Sequence, residues 1–239
     1  MSDEKNMTGE KDKEREAAIL SGSFQTGLSP NLGKPVYRFV KRAFDIAFSG
    51  AVVAVALVPS AVLCLAIRLE SPGCPIYSHI RVGRIRPDGT ASVFRMYKFR
   101  SMYQDADERL AELLDKNEVE GAMFKMRDDP RVTRIGRFIR RHSIDEFPQF
   151  LNVLLGDMSV VGPRPPLPRE VAQYTQRDLG RLAVKPGLTG PWQVSGRSDL
   201  DFADMVELDL EYAEKRSLGY DLGLIAKTVR VVFTGEGAA

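Results

Sequence analysis

The chain has 239 residues, of which 44% are apolar and 28% charged, and its formal net charge is +2. This size and composition leave room for one sizeable hydrophobic core, so we expect a single domain. Two cysteines exclude a disulfide framework and fit a reducing compartment. No secretory signal is expected, because the first apolar run begins only at Ile46.

The first segment, residues 1–33, is rich in acidic and basic residues and shows neither helical nor strand periodicity. We expect a disordered polar leader here, followed by one membrane-associated domain over residues 34–239. From Lys34 to Asp45, basic residues are interspersed with aromatic and aliphatic ones. That mixture is suited to the headgroup layer of membrane phospholipid.

An uncharged, largely apolar run of 22 residues extends from Ile46 to Ile67. It is long enough to cross a hydrocarbon core of roughly 30 Å as a helix. Pro59 removes one backbone hydrogen bond, and Ser60 can satisfy a freed carbonyl, so we expect the helix to break at this pair. Basic residues flank both ends, and their charge therefore sets no direction. Two topologies stay open: a re-entrant helix over about 43–68, and a kinked single span.

A β-hairpin is predicted after the membrane segment. Residues 76–86 and 92–99 have strand character, and Pro87, Asp88 and Gly89 form the turn between them. The alternation places Lys98 and Arg100 on one face of the second strand. Residues 103–117 then have the apolar spacing of an amphipathic helix.

Residues 131–141 contain five arginines and no acidic residue. The arginines recur at three-residue steps opposite Ile135, Phe138 and Ile139, which predicts a helix lying flat on an anionic surface with its apolar side down. Such a helix can also bind nucleic acid. A membrane segment in the same chain favours lipid or nucleotide phosphate, so no nucleic-acid partner is expected. His142 is interpreted as structural.

The following stretch is the candidate active site. Ser143 and Glu146 have the spacing of a capping box, so a helix is predicted to begin here, to tolerate Pro148 in its first turn and to end at Gly156. A helix N-terminus favours the ionised forms of Asp145 and Glu146. A fixed carboxylate can attack phosphorus or bind a hard cation such as Mg²⁺. The pair can equally be a plain helix cap.

The C-terminal third is predicted to contain three helices and one rigid loop. The helices cover residues 168–181, 201–216 and 218–233. The loop, residues 185–197, is dense in glycine and proline. It presents groups that can stack on a base or bind phosphate, namely Lys185, Trp192, Gln193 and Arg197.

Five motifs occur together and in order along the chain. They are Lys-Arg-Ala-Phe-Asp (41–45), Tyr-Lys-Phe-Arg-Ser-Met (97–102), Ser-Ile-Asp-Glu (143–146), Gly-Asp-Met-Ser-Val-Val-Gly-Pro-Arg-Pro (156–165), and Lys-Pro-Gly-Leu-Thr-Gly with Trp-Gln-Val-Ser-Gly-Arg (185–197). Together they resemble the bacterial sugar transferase family, the monotopic polyprenyl-phosphate phosphoglycosyl transferases. The resemblance extends from about Lys41 to Phe233.

The resemblance implies roles for individual residues. It makes Asp145 the nucleophile and assigns Mg²⁺ to Glu146 together with Asp145. It makes Arg164 a phosphate-binding residue. Apart from the resemblance, the polar side chains of Lys98, Arg100, Gln193 and Arg197 are further candidates for binding substrate or phosphate. The re-entrant helix would break at Pro59 and Ser60, although the break in this family usually has the order Ser-Pro.

The expected fold is α+β and mostly helical, with an N-terminal re-entrant membrane helix, interfacial amphipathic helices and a small β-hairpin. The active site is expected at the cytoplasmic face of the inner membrane. The expected reaction transfers a sugar 1-phosphate, favouring a hexose, from a UDP-sugar to undecaprenyl phosphate and releases UMP as the first membrane step of exopolysaccharide or other glycoconjugate synthesis. A homodimer is left open. Two other hypotheses stay open: a membrane-bound glycosyltransferase that releases UDP, and a non-enzymatic membrane-anchored adaptor that binds anions.

Overall fold

The structure is a computed structural model that describes residues 2–110, 113, 126, 129–195 and 200–234. The helices in this part are α1 (Ser2–Leu20), α2 (Pro35–Glu70), α3 (Ala106–Leu110), α4 (Arg134–Arg141), α5 (Gln149–Leu155), α6 (Pro168–Ala172), α7 (Phe202–Lys215) and α8 (Leu218–Thr234). The strands are β1 (Ile76–Ile85), β2 (Ala91–Phe99), β3 (Ser159–Val161) and β4 (Gly187–Thr189). The expected α+β, mostly helical class is therefore confirmed.

Helix α2 contains the whole apolar run, with Pro59 inside it. Its most apolar 18-residue window has a mean hydropathy of 2.5, yet only 6% of that window is buried. A core helix of a soluble domain would be mostly buried. The helix is thus long, apolar and largely uncovered by the rest of the chain, as a membrane-associated helix is.

Polar bonds attach the first turns of α2 to the globular part. Arg42 donates to two carbonyls at the C-terminal end of α5, at 2.6 and 2.8 Å. The carboxylate of Asp45, which is buried, accepts hydrogen bonds from the hydroxyl of Ser159 and the backbone N–H of Val160, both at 3.0 Å. These contacts join α2 to α5 and to β3.

The last turn of α2 is attached to the same globular part. Glu70 accepts hydrogen bonds from the first two backbone N–H groups of α4, at 2.8 and 3.1 Å. One turn earlier, Ile67 packs in a buried cluster with Phe99 and Ile139. Both ends of the apolar helix therefore contact one globular body.

The predicted hairpin is confirmed. Strands β1 and β2 pair antiparallel from Ile76 opposite Phe99 to Ile85 opposite Ala91. The turn has the backbone N–H of Thr90 bonded to the carboxylate of Asp88 at 2.9 Å. The second strand of the hairpin, β2, lies against α5, where the side chain of Asn152 bonds to its backbone.

A second, parallel sheet was not predicted. Strand β3 pairs with β4 inside the segment expected to be only a loop. Gly162 permits this approach, because a Cβ atom there would lie 2.4 Å from the carbonyl oxygen of Lys185. Residues Trp192–Val194 then form one turn of 3₁₀ helix.

The expectation of a disordered leader does not hold for residues 2–33 in this structure. They begin with helix α1. Ile19 is fully buried in a core cluster with Val82 and Val171, and Arg15 donates to the carbonyl of Tyr174 at 3.3 Å. Among residues 10–20 of α1, whose side chains the structure describes, Ile19 in the last turn is the only fully buried apolar residue, so this part shows no amphipathic period for sequence analysis to detect.

The capping box is wrong. Ser143 has a φ of +53° and makes no side-chain capping bond. Residues Ile144–Glu146 form a 3₁₀ turn, and α5 begins only at Gln149. Phe147 and Pro148 both have helical backbone angles, but Pro148 has no backbone N–H, so it cannot donate the hydrogen bond that would continue the 3₁₀ turn into α5. The predicted end at Gly156 is confirmed, with a φ of +96°.

The arginine-rich helix is present, and part of its apolar side packs against the protein. Helix α4 begins after Thr133, whose hydroxyl accepts from the N–H of Gly136 at 2.8 Å. Ile139 is fully buried against α2 and β2, whereas Phe138 is 58% exposed. The apolar face was assigned to the membrane because sequence alone does not distinguish lipid from a protein core.

The other predicted helices differ in outcome. An amphipathic helix was predicted over residues 103–117. Within this range the structure has α3, and most of the residues after α3 lie outside the described part of the chain. The single helix predicted over 168–181 is instead α6 and a 3₁₀ helix, Asp178–Ala183. Asp178 competes for the N–H of Thr175 at 2.9 Å, which interrupts the α-helical hydrogen bonds. Helices α7 and α8 are confirmed.

The buried amide of Asn152 links α5 to β2, and we expect its removal to destabilise the fold. Its Nδ2 donates to the carbonyl of Arg95 at 2.7 Å, and its Oδ1 accepts from the N–H of Tyr97 at 3.0 Å. Asn152→Ala leaves both buried backbone groups without these bonds, which costs about 3 kcal/mol of unfolding free energy. Thermal unfolding in detergent should show a Tm lower by about 6–12 °C.

The matched control is Leu151→Ala, an exposed neighbour on the same helix. It should change the unfolding free energy by less than about 0.5 kcal/mol. A Tm of Asn152→Ala equal to that of the control would show that the amide does not hold α5 against the hairpin.

Candidate active site

Asp145 and Glu146 lie in the 3₁₀ turn between α4 and α5. The side chain of Asp145 is 12% exposed and that of Glu146 is 39% exposed. Lys98, near the end of β2, contacts both: its Nζ lies 2.7 Å from Oε1 of Glu146 and 3.7 Å from Oδ2 of Asp145. The 3₁₀ turn thus places two adjacent carboxylates beside one ammonium group.

The two carboxyl groups differ in acidity. Burial raises the pKa of Asp145, and the adjacent Glu146 adds to this, although Lys98 partly opposes it. Burial also acts to raise the pKa of Glu146, but the positive charges of Lys98 and Arg164, with a hydrogen bond from Gln149, outweigh it and lower the pKa. Asp145 is therefore the more basic carboxylate, which favours it as the nucleophile of the pair.

Lys98 reaches the carboxylates because α5 is bound to β2. The buried Asn152 amide bonds to backbone groups of that strand on either side of Met96. Sequence analysis did not single out Asn152. The sequence feature that could have indicated its role is an uncharged polar residue among apolar ones, in Phe-Leu-Asn-Val-Leu (150–154).

Arg164 lies on the turn that follows β3. Its positive charge contributes to the lowered pKa of Glu146. Its guanidinium carbon lies 5.8 Å from the ring centroid of Trp192, within cation–π range. The indole N–H of Trp192 is buried and has no hydrogen-bond partner among the residues the structure describes. The cation–π contact leaves the guanidinium edge of Arg164 as a donor for an anionic ligand.

Arg81 is a further site residue that sequence analysis missed. Its side chain on β1 is buried and donates to the carbonyl of Pro165 at 3.1 Å, while the N–H of Val82 donates to the carbonyl of Pro166 at 2.9 Å. Burial and the charge of Arg164 lower the pKa of Arg81 to about 10. Strand β1 therefore holds the Pro-Arg-Pro turn in place. The sequence feature that could have indicated this role is a basic residue next to the buried end of a strand.

The remaining predicted residues have other surroundings. Arg100 donates to the backbone carbonyls of Ser71 and Pro72, so its guanidinium holds the loop after α2. Gln193 donates to the carbonyl of Leu188 at 3.0 Å and holds the loop after β4. Arg197 lies outside the described residues. The helix was expected to break at Pro59 and Ser60, but both residues lie inside α2, which is one continuous helix from Pro35 to Glu70.

The carboxylate pair has the chemistry of a Mg²⁺ site completed by substrate. No cluster of three or more metal-ligating side chains occurs in the part of the chain that the structure describes. Mg²⁺ is commonly held by one or two carboxylates together with substrate phosphates, and it does not require a cage of protein ligands. Asp145 and Glu146 fit that requirement, and Lys98 provides the balancing positive charge between them.

Comparison with known proteins gives consistent matches over most of the chain. The family model for bacterial sugar transferases matches residues 36–235. The galactosyl transferase CpsE of Streptococcus agalactiae serotype III is 45% identical over 200 residues, which are 83% of this chain and 43% of the relative. The undecaprenyl-phosphate galactose phosphotransferase of Salmonella typhimurium is 42% identical over 213 residues, which are 87% of this chain and 43% of the relative.

A shorter relative is matched over most of its length. The exopolysaccharide production protein ExoY of Rhizobium meliloti is 36% identical over 210 residues, which are 86% of this chain and 90% of the relative. The chain thus spans less than half the length of the first two relatives.

Proposed function

The chain belongs to the bacterial sugar transferase family, and from this premise we propose that it transfers a sugar 1-phosphate from a UDP-sugar to undecaprenyl phosphate and releases UMP. The observation that carries the proposal is the adjacent pair Asp145 and Glu146, held by Lys98 and influenced by Arg164. The transfer would be the first membrane step of exopolysaccharide or related glycoconjugate synthesis. Relatives named for galactose phosphotransfer to undecaprenyl phosphate and for exopolysaccharide production support this role.

The reaction has to bring two anions together, because both the nucleotide sugar and the lipid carry phosphate. A covalent intermediate separates the two encounters. A carboxylate oxygen of Asp145 attacks the β-phosphorus of the UDP-sugar, and the bond from that phosphorus to the bridging oxygen breaks as UMP leaves. A phosphate oxygen of undecaprenyl phosphate then attacks the enzyme-bound phosphorus and releases the Asp145 carboxylate.

The other side chains stabilise charge along this path. Asp145 has the raised pKa that makes it the better nucleophile. Arg164, stacked on Trp192, supplies a fixed positive charge for phosphoryl oxygens, and Lys98 can exchange a carboxylate partner for a phosphate oxygen. Mg²⁺ held by Glu146 and Asp145 would spread the charge that develops on those oxygens.

We also propose that α2 is re-entrant, with the site at the cytoplasmic face of the inner membrane. Asp45 and Glu70, which are bonded to the same globular part, are separated by about 38 Å along a straight helix. A single span would put them on opposite sides of a hydrocarbon core of roughly 30 Å. One globular body cannot contact both Asp45 and Glu70 if these residues lie on opposite sides of the bilayer. A helix that enters and leaves one leaflet, bending at Pro59 and Ser60, removes the conflict.

We expect Asp145→Asn to abolish UMP release. The amide is a far weaker nucleophile, so the initial rate with UDP-galactose or UDP-glucose and undecaprenyl phosphate should fall at least about a thousandfold. The measurement is UMP released by purified full-length protein, with UDP quantified in the same samples.

The same substitution at an exposed acid, Asp204→Asn, is the control and should leave the rate unchanged. Wild-type UMP release by Asp145→Asn would remove this residue from the mechanism. Release of UDP in place of UMP by the wild-type protein would support the glycosyltransferase hypothesis, and no turnover of any UDP-sugar would support the adaptor.

Removal of divalent metal should stop the reaction. We expect a chelator to abolish UMP release and added Mg²⁺ to restore it. Glu146→Gln removes one charged ligand, so the Mg²⁺ concentration for half-maximal release should rise about tenfold, the factor for about 1.4 kcal/mol of binding. Full activity in excess chelator would contradict the assignment of Mg²⁺ to this pair.

The re-entrant topology predicts that both flanks of α2 face the cytoplasm. Two single-cysteine variants are compared, both with Cys64 replaced by serine. One keeps the native Cys74, which follows the helix. The other has Cys74 replaced by serine and carries Ser29→Cys, which precedes the helix. Neither should react with a membrane-impermeant maleimide added outside intact cells, and both should react after permeabilisation. Labelling of one flank from outside would establish a single span.

A further inference from the structure

A second, strongly basic cavity lies at the start of α2. Its volume is about 300 Å³. One of its lining residues is acidic, Asp45, and six are basic: Arg38, Lys41, Arg42, Arg84, Lys185 and Arg216. The excess of positive charge is large for a single cavity, and like charges held together favour the binding of an anion.

The charges of this basic pocket are not balanced within the protein. Lys41 pairs with Asp221 at 2.7 Å, but the carboxylate of Asp45 is bonded to β3 and pairs with none of the six. Among the described residues, the side chains of Arg84 and Lys185 have neither a hydrogen-bond acceptor nor an ion-pair partner. Two partly buried cations therefore face the cavity without an ion-pair contact, although the charges of Asp45 and Asp157 partly offset that of Lys185.

The protonation of Lys185 reflects this environment. Burial, with the charges of Arg42 and Arg84, lowers the pKa of Lys185 to about 8. A bound anion would offset the repulsion that lowers it. The cavity is thus a place where an anion stabilises groups that the protein alone leaves in mutual repulsion.

The basic pocket is separate from the carboxylate pair. Arg42 binds the C-terminal carbonyls of α5, whereas Asp145 and Glu146 precede the N-terminus of that helix. Seven helical residues span about 10 Å, so the two sites lie at opposite ends of α5. None of the residues that the proposed reaction uses lines the basic pocket.

The surroundings of the basic pocket point to the bilayer surface. Val36 and Phe39, in the same turns of α2 as Tyr37 and Arg38, are each 76% exposed. Apolar side chains beside a cluster of basic ones are typical of the headgroup region, where anionic lipid attracts lysine and arginine. A phosphate in this cavity would therefore lie at headgroup depth.

We propose that the basic pocket is a phosphate-binding site distinct from the carboxylate site, and that lipid headgroups supply the phosphate. The phosphate would bind between Arg84 and Lys185, with Arg42 beside it. This inference does not rest on the proposed transfer reaction. Binding at the basic pocket would fix the first turns of α2 at the membrane surface.

The test is equilibrium binding to the full-length protein in dodecyl maltoside micelles at constant ionic strength. Isothermal titration calorimetry compares two probes, dihexanoyl phosphatidic acid and inorganic phosphate. We expect saturable binding of the phosphatidic acid and weaker binding of inorganic phosphate. Equal or tighter binding of inorganic phosphate would overturn the lipid source, and no saturable binding of either probe would overturn the site itself.

Variants assign the binding to the cavity. Arg84→Gln and Lys185→Gln should each weaken binding about tenfold, the effect of losing one charge-assisted contact. Both should fold, because neither side chain has a protein partner within the described residues, and either variant alone suffices for the test. Thermal unfolding of each variant without ligand verifies its folding.

Two further variants serve as controls. Arg86→Gln removes the same charge from an exposed position just beyond β1 and should bind phosphatidic acid like the wild type. Asp145→Asn should also bind normally, because the two sites are separate. Equal affinity in Arg84→Gln, Lys185→Gln and Arg86→Gln would overturn the proposal, as would loss of binding in Asp145→Asn.

Discussion

The structure depends on polar attachment of an apolar helix. Helix α2 presents most of its apolar surface outward, so burial of that surface against the protein cannot hold it in place. Charged side chains at its ends do so: Arg42 binds carbonyls of α5, Asp45 accepts from β3, and Glu70 accepts from α4. Buried bonds to charged groups are stronger than neutral ones, and they fix direction as well as distance. The membrane helix therefore sets the position of α5, and α5 sets the position of the active site.

The candidate active site is held from several elements at once. Asn152 bonds α5 to β2, which brings Lys98 to Asp145 and Glu146. Arg81 on β1 holds the turn that carries Arg164. The functional groups thus lie on short irregular segments, and rigid neighbours restrict them. Such restriction matters for phosphoryl transfer, in which the protein contributes mainly by positioning reactants and stabilising charge.

Helix α5 separates two environments of opposite chemistry. At its N-terminal end, two carboxylates contact Lys98, and burial gives Asp145 the higher pKa of the two. At its C-terminal end, Arg42 contributes to a cavity in which Arg84 and Lys185 have no ion-pair partner among the described residues. Both environments adjoin the helix that associates with the membrane. The proposed transfer to a lipid phosphate and the proposed headgroup-binding site would therefore lie at opposite ends of α5.

The sequence by itself determined the features that local patterns encode. The apolar run, the hairpin with its Pro-Asp-Gly turn, and helices α7 and α8 all follow from periodicity or turn residues. Tertiary structure alone decided which distant groups meet: Asn152 with β2, Arg81 with the Pro-Arg-Pro turn, Ile19 with the core, and Arg84 with Lys185. The tertiary structure also shows that Ser143 does not form the predicted capping box. The physical reason is that periodicity reports only neighbours a few residues apart, whereas buried polar bonds depend on segments brought together by the whole fold.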